Sequence, residues 1–175
     1  GRRNFSYQMI KQKLQNTDWE FVANEMNQNG FAIIPNLLSD QQCEALKAEY
    51  NNSTAYRKTV VMERYRFGLG EYKYFNYPLP NLIQNIRESI YPKLAPIANA
   101  WMKVLNMETT FPNTHQELLQ QCLSNNQYKA TVLILKYGEG GHNTLHQDLY
   151  GDVYFPIQTV LFLNEPDQDF TGGEF

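Results

Sequence analysis

The spacing of the hydrophobic positions changes near residue 129. After it, apolar residues form continuous runs that glycine-rich turns separate. Residues 131–137 are rich in β-branched side chains, which predicts a strand buried on both faces, and Gly-Glu-Gly-Gly at 138–141 predicts a turn into the next strand. Residues 153–164 predict another long buried strand, and residues 171–175 begin a further one. Consecutive strand signals of this kind predict a sandwich or barrel.

Helix start and stop signals recur before residue 129. Asp18 is a predicted N-cap, and Gly30 is the predicted stop of the same helix. Capping boxes begin later helices at Ser39 and Thr114. The signals predict helices over residues 7–15, 18–29, 39–50, 82–105 and 114–123.

Prolines mark the expected interruptions of this helical part. Pro35 should end a short strand over residues 31–34, and Pro92 and Pro96 should break or kink the long helix. A helix-rich part (1–128) followed by a strand-rich part (129–175) predicts a single α+β domain, 1–175, in which helices brace a β-sandwich.

Composition narrows the class of protein. A chain of 175 residues that is 42% hydrophobic can bury a core as one domain, and its net charge of -3 argues against nucleic acid as a bulk electrostatic partner. Cys43 and Cys122 lie in predicted helices without disulfide or metal-ligand spacing, which favours packing roles and a reducing cytoplasm. No apolar run approaches the ~20 residues that span a bilayer, so we expect a cytoplasmic protein without membrane contact.

Residues 57–77 combine cations with aromatic rings. Their five basic residues against two acidic ones give a local charge of about +3. Such a segment can hold single-stranded nucleic acid. It can equally form a hairpin at residues 68–70 whose rings face the core and whose cations face water. Both interpretations stay open at the level of sequence.

The triplet His146-Gln147-Asp148 is the candidate metal site. Side chains alternate faces along a strand, so His146 and Asp148 project to the same side. An imidazole and a carboxylate, with a second histidine, form the facial ligand set of non-haem Fe(II) oxygenases. The alternative is two solvated polar groups at a strand end. His115 should be solvated in the first turn of a helix, and His142 shares the face of His146 only if the strand is regular back to the glycine turn.

The chain resembles the 2-oxoglutarate and Fe(II) dependent dioxygenases. A tyrosine, glycine turn and His-x-Asp block similar to theirs occurs in KYGEGGHNTLHQDLYGD, and a following strand and Gly-Gly-Glu segment in VLFLNEPDQDFTGGEF. The family's first strand and helix resemble GFAIIPNLLSDQQCEAL. One bacterial subfamily of uncharacterised 2-oxoglutarate oxygenases is similar in GLGEYKYFNYPLP, YPKLAPIANAWM and FPNTHQELLQQC. The resemblance covers nearly the whole chain.

This resemblance implies a double-stranded β-helix (jelly roll, cupin-like) and a chemistry. Fe(II) would be held by His146 and Asp148, which would also be the catalytic residues. The co-substrate 2-oxoglutarate would meet Tyr137, with Asn143 as a second choice, and ascorbate would be an optional further cofactor. Decarboxylation to succinate would accompany hydroxylation of a substrate C–H bond, or demethylation through a hydroxymethyl group. Halogenating relatives lack the carboxylate, so Asp148 favours hydroxylation. Tyr137 can alternatively be an interior aromatic at a strand end.

The same resemblance places a third iron ligand and a 2-oxoglutarate-binding arginine on a later strand, beyond TGGEF. We therefore expect that Phe175 interrupts a strand and that the C-terminal strands are missing. The 175-residue chain should then lack activity, and its unpaired strand edge should favour self-association. His142 as the third ligand is the competing assignment.

Two other classes stay open. A non-catalytic jelly-roll binding module would keep the fold without the metal set. A nucleic-acid repair demethylase is the competing substrate class, because LHQD resembles the motif of the DNA-demethylating branch and residues 57–77 are basic. Nucleic acid is not the favoured partner at this level, and the substrate is unidentified because fold does not dictate substrate.

Overall fold

The computed structural model describes residues 2–144, 151–165, 168–169 and 171, with side chains described from residue 7 onward. The α-helices are α1 Arg2–Gln15, α2 Trp19–Asn29, α3 Asp40–Glu49, α4 Asn81–Val104 and α5 His115–Ser124. The strands are β1 Tyr56–Val61, β2 Gly68–Leu69, β3 Glu71–Phe75, β4 Leu133–Lys136 and β5 His142–Asn143. These elements form two compact units. Unit 1 takes the described residues within 1–39, 80–127 and 151–159, and unit 2 takes those within 40–79, 128–150 and 160–175.

Unit 1 is built on the apolar face of α4. Tyr91, Ala95, Ala98 and Met102 recur at intervals of three and four residues, so they share one side of the helix. They pack with Phe111 and Leu118 into a buried cluster. Asn99 fixes the segment around Phe111, because its side chain accepts from the Phe111 N–H (2.7 Å) and donates to the Phe111 carbonyl (3.1 Å).

The helix boundaries follow the capping signals. Asp18 accepts from the backbone N–H of Phe21 at 3.0 Å, and Gly30 ends α2 with a left-handed φ of 80°. Thr114 accepts from the N–H of Glu117 at 3.2 Å at the start of α5. These two predicted caps are confirmed, and the helix predicted over 39–50 is confirmed as α3. The first helix begins earlier than predicted, at Arg2.

Two predictions in unit 1 need comment, and the strand predicted over residues 31–34 is wrong. Residues 31–34 are described without a strand, and Ile33 is 73% exposed. Pro92 and Pro96 do not break α4, which is continuous over 24 residues, and a kink at these prolines stays a prediction. Both prolines lie on its exposed side. The carbonyls that lose a helical partner there can bond to water, while the opposite face stays packed.

Unit 2 contains an antiparallel sheet in the order β1-β3-β4. The register pairs Val60 with Tyr72 and Tyr72 with Leu135, which places the three strands side by side. Val60 and Phe75 are both buried. The hairpin predicted around residues 68–70 is therefore confirmed as β1 and β3. Their connection is longer than a tight turn, because it includes a 3-10 turn at Met62–Tyr65 and strand β2.

The strand predicted over residues 131–137 is shorter and more exposed than expected. Strand β4 covers Leu133–Lys136, and Leu135 and Tyr137 are both 43% exposed. Among the described residues its ladder partner is β3 on one side. The prediction that this strand is buried on both faces is wrong, since a β-branched run cannot specify how many neighbours cover it.

The strand predicted over residues 153–164 is also wrong, because residues 153–164 are described without a strand. Phe162 is 76% exposed. In unit 1, Val153 and Phe155 pack against the α4 cluster. The Gln127 side chain takes the place of a neighbouring strand: it accepts from the Val153 N–H and donates to the Val153 carbonyl, both at 2.8 Å. The strand predicted over 171–175 lies, apart from residue 171, outside the described residues.

The described residues thus combine helices with small antiparallel sheets. The jelly roll and the single domain 1–175 stay predictions. No helix in the described part of the chain is long and apolar enough to cross a membrane.

Candidate active site

The predicted site residues cluster in sequence after β4. His146 and Asp148 lie outside the described residues. Tyr137 directly follows β4, and Asn143 ends β5, so the glycine turn connects the two. The turn forms as predicted: Gly141 donates to the Gly138 carbonyl at 2.9 Å.

The structure brings Tyr137 and Asn143 together. Burial raises the pKa of the Tyr137 hydroxyl, and the nearby Asn143 side chain lowers it by a smaller amount. A phenol whose proton is retained can donate a hydrogen bond to an anion. The two residues singled out for 2-oxoglutarate therefore form one polar pair beside the turn.

Glycines let a second loop approach this pair closely. A Cβ on Gly70 would lie 2.7 Å from the Tyr137 ring, and a Cβ on Gly68 would lie 2.1 Å from the His142 carbonyl oxygen. Both distances are shorter than van der Waals contact, so only glycine fits at these positions. Strands β2 and β5 pair antiparallel here, with Gly68 opposite Asn143.

The chain leading into residue 145 is anchored to the same loop. Thr144 donates twice to the Phe67 carbonyl, from its backbone N–H and from its hydroxyl, each at 2.8 Å. His146 follows two residues later in the sequence. Thr144, two residues before the His-x-Asp triplet in the sequence, is thus fixed by backbone and side-chain bonds.

The other two histidines differ from each other. His142 is exposed, and its Nδ1 lies 3.3 Å from the Gly140 carbonyl oxygen. His115 was expected to be solvated, and this is wrong: it is only 6% exposed in unit 1. Arg87 Nε donates to His115 Nε2 at 2.6 Å, and the ring lies edge-on to Tyr91 at 5.6 Å.

The burial of His115 decides its protonation. Desolvation, with a smaller contribution from the Arg87 charge, lowers the pKa of His115 to about 4. The ring is therefore neutral near pH 7, with Nε2 as acceptor and the proton on Nδ1. Among the described residues Nδ1 has no hydrogen-bond partner. His115 is therefore a buried core side chain, and its Nε2 lone pair accepts the hydrogen bond from Arg87.

Among the described residues no three His, Cys, Asp or Glu side chains are grouped so that they could hold a metal ion. The two ligand candidates that remain, His146 and Asp148, lie in the part of the chain that the structure does not describe.

The basic and aromatic segment departs in part from the hairpin interpretation, which places its rings toward the core and its cations in water. Phe75 is buried, but Tyr65 and Phe67 are exposed. Lys73 lies over the ring of Tyr50 at 4.1 Å and donates to the Tyr50 carbonyl at 2.9 Å. The hydroxyl of Tyr50 donates to Glu71. Burial raises the pKa of Tyr56 to about 12. This cation is therefore held against rings and is not a free surface charge.

A second group of cations faces an open groove of about 480 Å³ at the edge of unit 2. We call it the basic groove, and its lining residues are Arg57, Lys58, Asn76, Tyr77, Tyr128, Lys129 and Ala130. Sequence reasoning identified the contributions from residues 57–77 but missed Tyr128 and Lys129. In the sequence, these two residues stand out only because they lie just before a predicted strand. Placing them beside Arg57 and Lys58 requires knowing that this strand pairs with β3.

Similar proteins are known in Mycobacterium tuberculosis. Two uncharacterised proteins, one from each of two strains, are 44% identical to the chain over 101 residues, which is 58% of this chain and 43% of theirs. The chain thus spans less than half the length of the curated relatives it matches. No solved structure matches it. The model of the Oxygenase-NA family, described as "Oxygenase, catalysing oxidative methylation of damaged DNA", matches residues 70–175, a range that includes Gly70, Tyr137 and the His-x-Asp triplet. This match extends over more than half of the chain, which therefore belongs to the Oxygenase-NA family of oxygenases.

Proposed function

We propose that the protein is a 2-oxoglutarate- and Fe(II)-dependent oxygenase that oxidises a methyl group on damaged DNA. The observation that carries the proposal is the Tyr137–Asn143 pair, placed beside an anchored chain that leads directly into His146-Gln147-Asp148. Membership of an oxygenase family supports the reaction class. The double-stranded β-helix is the fold that we propose for the complete catalytic domain.

The donor chemistry of the chain fits this cofactor set in part. His146 and Asp148 would hold Fe(II), since an imidazole and a carboxylate are two members of the facial set. Bound Fe(II) with 2-oxoglutarate supplies oxygen activation for the hydroxylation of a C–H bond. His142, exposed beside the turn, is the described histidine closest in sequence to the triplet.

Tyr137 and Asn143 would bind the co-substrate. A protonated phenol and an amide N–H are donors, and 2-oxoglutarate carries two carboxylates that accept. Hydrogen bonds to a charged group contribute about 1.5–3 kcal/mol each. Gly70 leaves room for the Tyr137 ring, because the ring lies where a side chain on residue 70 would otherwise be. The role of this pair is to orient the co-substrate and does not include proton transfer.

The substrate class rests on the family description, which names damaged DNA. A hydroxylated methyl group on a base nitrogen would leave as formaldehyde, which restores the base. The cations of the basic groove support a polyanionic substrate despite the net charge of -3.

Turnover assays test the proposal. The full-length protein should convert 2-oxoglutarate to succinate only with Fe(II), faster when methylated DNA is present. His146→Ala and Asp148→Ala should each reduce turnover by more than about 100-fold, because loss of a metal ligand exceeds the ~10 to 100-fold cost of losing a supporting residue. Tyr137→Phe should raise the KM for 2-oxoglutarate about tenfold with a smaller effect on kcat, since it removes one hydrogen bond to a carboxylate.

Tyr154→Phe is the matched control, because it removes the same hydroxyl from an exposed tyrosine of unit 1. Unchanged turnover in both ligand variants would exclude the His-x-Asp site. An equal effect of Tyr154→Phe and Tyr137→Phe on KM would exclude the co-substrate role of Tyr137.

A further inference from the structure

The basic groove lies at one end of the three-stranded sheet. Tyr56 pairs with Phe75, and Tyr74 pairs with Leu133, so the start of β1, the residues after β3 and the residues before β4 meet at this end. Tyr137 lies at the other end of β4. The two ends of the sheet thus carry different chemistry: three cations and two tyrosines at one, and the Tyr137–Asn143 pair at the other.

Arg57 is held in a fixed orientation in the groove. Its Nε donates to the Ala130 carbonyl at 2.8 Å, and its guanidinium lies 4.4 Å from the centre of the Tyr74 ring. A guanidinium has five N–H donors, and this bond uses one of them. An arginine that is already positioned loses little side-chain entropy when it binds a phosphate.

Lys58, Lys129 and Tyr128 differ from Arg57 in being exposed. Tyr128 has 65% of its surface accessible, and Lys58 and Lys129 are also exposed. The lining residues include three cations and no carboxylate, although the chain as a whole is negative. Cations beside an exposed ring match a single nucleic-acid strand, in which phosphates alternate with stackable bases.

We propose that the basic groove binds a single DNA strand, with Arg57, Lys58 and Lys129 contacting phosphates and a base stacked on Tyr128. This inference rests on the proposed function, since it makes the groove a second contact on the substrate, away from the reacting base. Stacking on Tyr128 requires an unpaired base, which is why a single strand is favoured over a duplex.

The length of the sheet sets the distance between the two contacts. Tyr137 lies seven positions after Ala130, and a chain extended at about 3.3 Å per residue spans about 23 Å over that length. A stacked strand advances about 3.4 Å per nucleotide. The groove should therefore hold nucleotides about seven positions from the methylated base, so short oligonucleotides should not reach it.

Binding of fluorescein-labelled single-stranded DNA of about 21 nucleotides, with one central methylated base, tests the proposal. The variant is Lys58→Ala/Lys129→Ala. Each phosphate contact to a single strand contributes about 0.7 to the salt dependence of log K, so losing two should make the slope about 1.4 less steep. At about 0.1 M salt this corresponds to about 25-fold weaker binding.

The matched control is Lys11→Ala/Lys103→Ala, which removes the same charge from exposed positions of unit 1. It should change affinity less than about threefold. Tyr128→Ala should weaken binding about tenfold, and Tyr128→Phe should not, because stacking needs the ring and contributes about 1–3 kcal/mol per base. Oligonucleotides with about three nucleotides on each side of the methylated base should bind wild type and the lysine variant equally.

Several results would contradict the binding of single-stranded DNA in the basic groove. These are equal losses in the two double-lysine variants, equal binding of poly-glutamate, stronger binding of duplex than of single strand, or no DNA binding by the wild-type protein. Oxygenase turnover separates this inference from the proposed function. If salt-dependent binding is lost only in Lys58→Ala/Lys129→Ala and methylated DNA is not turned over, the DNA-binding groove is supported and the proposed function is contradicted. If wild type and this variant turn over long DNA equally, the proposed function is supported and the DNA-binding groove is contradicted.

Discussion

Replacement of His115 by glutamine should make unit 1 less sensitive to acid. In the folded protein the pKa of His115 is lowered to about 4 by burial and by Arg87, against 6.5 for an ordinary histidine. Between these two values the unfolded chain binds the proton and the folded chain does not. Stability therefore rises with pH across this window: it is complete above about pH 6.5 and is lost as the pH falls toward 4.

The magnitude follows from the two pKa values. Each pKa unit corresponds to 1.36 kcal/mol, so lowering the pH from about 7.5 to about 5 should cost about 2 kcal/mol through His115. This is an upper limit, because water that reaches the imidazolium would screen it. In His115→Gln the side-chain oxygen can still accept from Arg87 but does not titrate. The variant should lose about 2 kcal/mol less stability than wild type over the same pH change.

Urea unfolding followed by tryptophan fluorescence measures this difference. The chain has two tryptophans, Trp19 and Trp101, and both belong to unit 1. Trp101 packs against the cluster that contains Tyr91, the neighbour of His115. His142→Gln is the control, since His142 is exposed. If His115→Gln and wild type lose the same stability between the two pH values, the claim that His115 is buried and neutral is refuted.

Two further predictions concern packing. Gly70→Ala should destabilise the protein by about 1–3 kcal/mol in urea unfolding followed by circular dichroism, because its Cβ would lie 2.7 Å from the Tyr137 ring. Gly138→Ala meets no atom within 4 Å and should cost less than about 0.5 kcal/mol, so equal effects would contradict the close approach. Phe155→Ala should cost about 2–3 kcal/mol by tryptophan fluorescence, since the ring packs on the unit 1 cluster. Phe162→Ala, 76% exposed, should be near neutral, and a similar loss in both variants would refute that packing.

The sequence determined those features that depend on neighbouring residues. A carboxylate or hydroxyl at the first position of a helix bonds an N–H three residues on, so Asp18 and Thr114 could be identified as caps without tertiary information. The glycine turn after β4 and the hairpin formed by β1 and β3 were predictable for the same reason. The chemical candidates Tyr137, Asn143, His146 and Asp148 also came from local motifs and their resemblance to a family.

Only the tertiary structure decided which of these side chains are covered and what they contact. His115 has a polar position in a helical pattern, yet Arg87 and Tyr91 from another helix surround it. Residues 153–157 have a strand pattern, yet Gln127 takes the hydrogen bonds that a strand would have used. The basic groove combines residues about 70 positions apart, from Arg57 to Lys129. Burial and long-range pairing are properties of the assembled units, so a local pattern determines which elements can form but not which surfaces they cover.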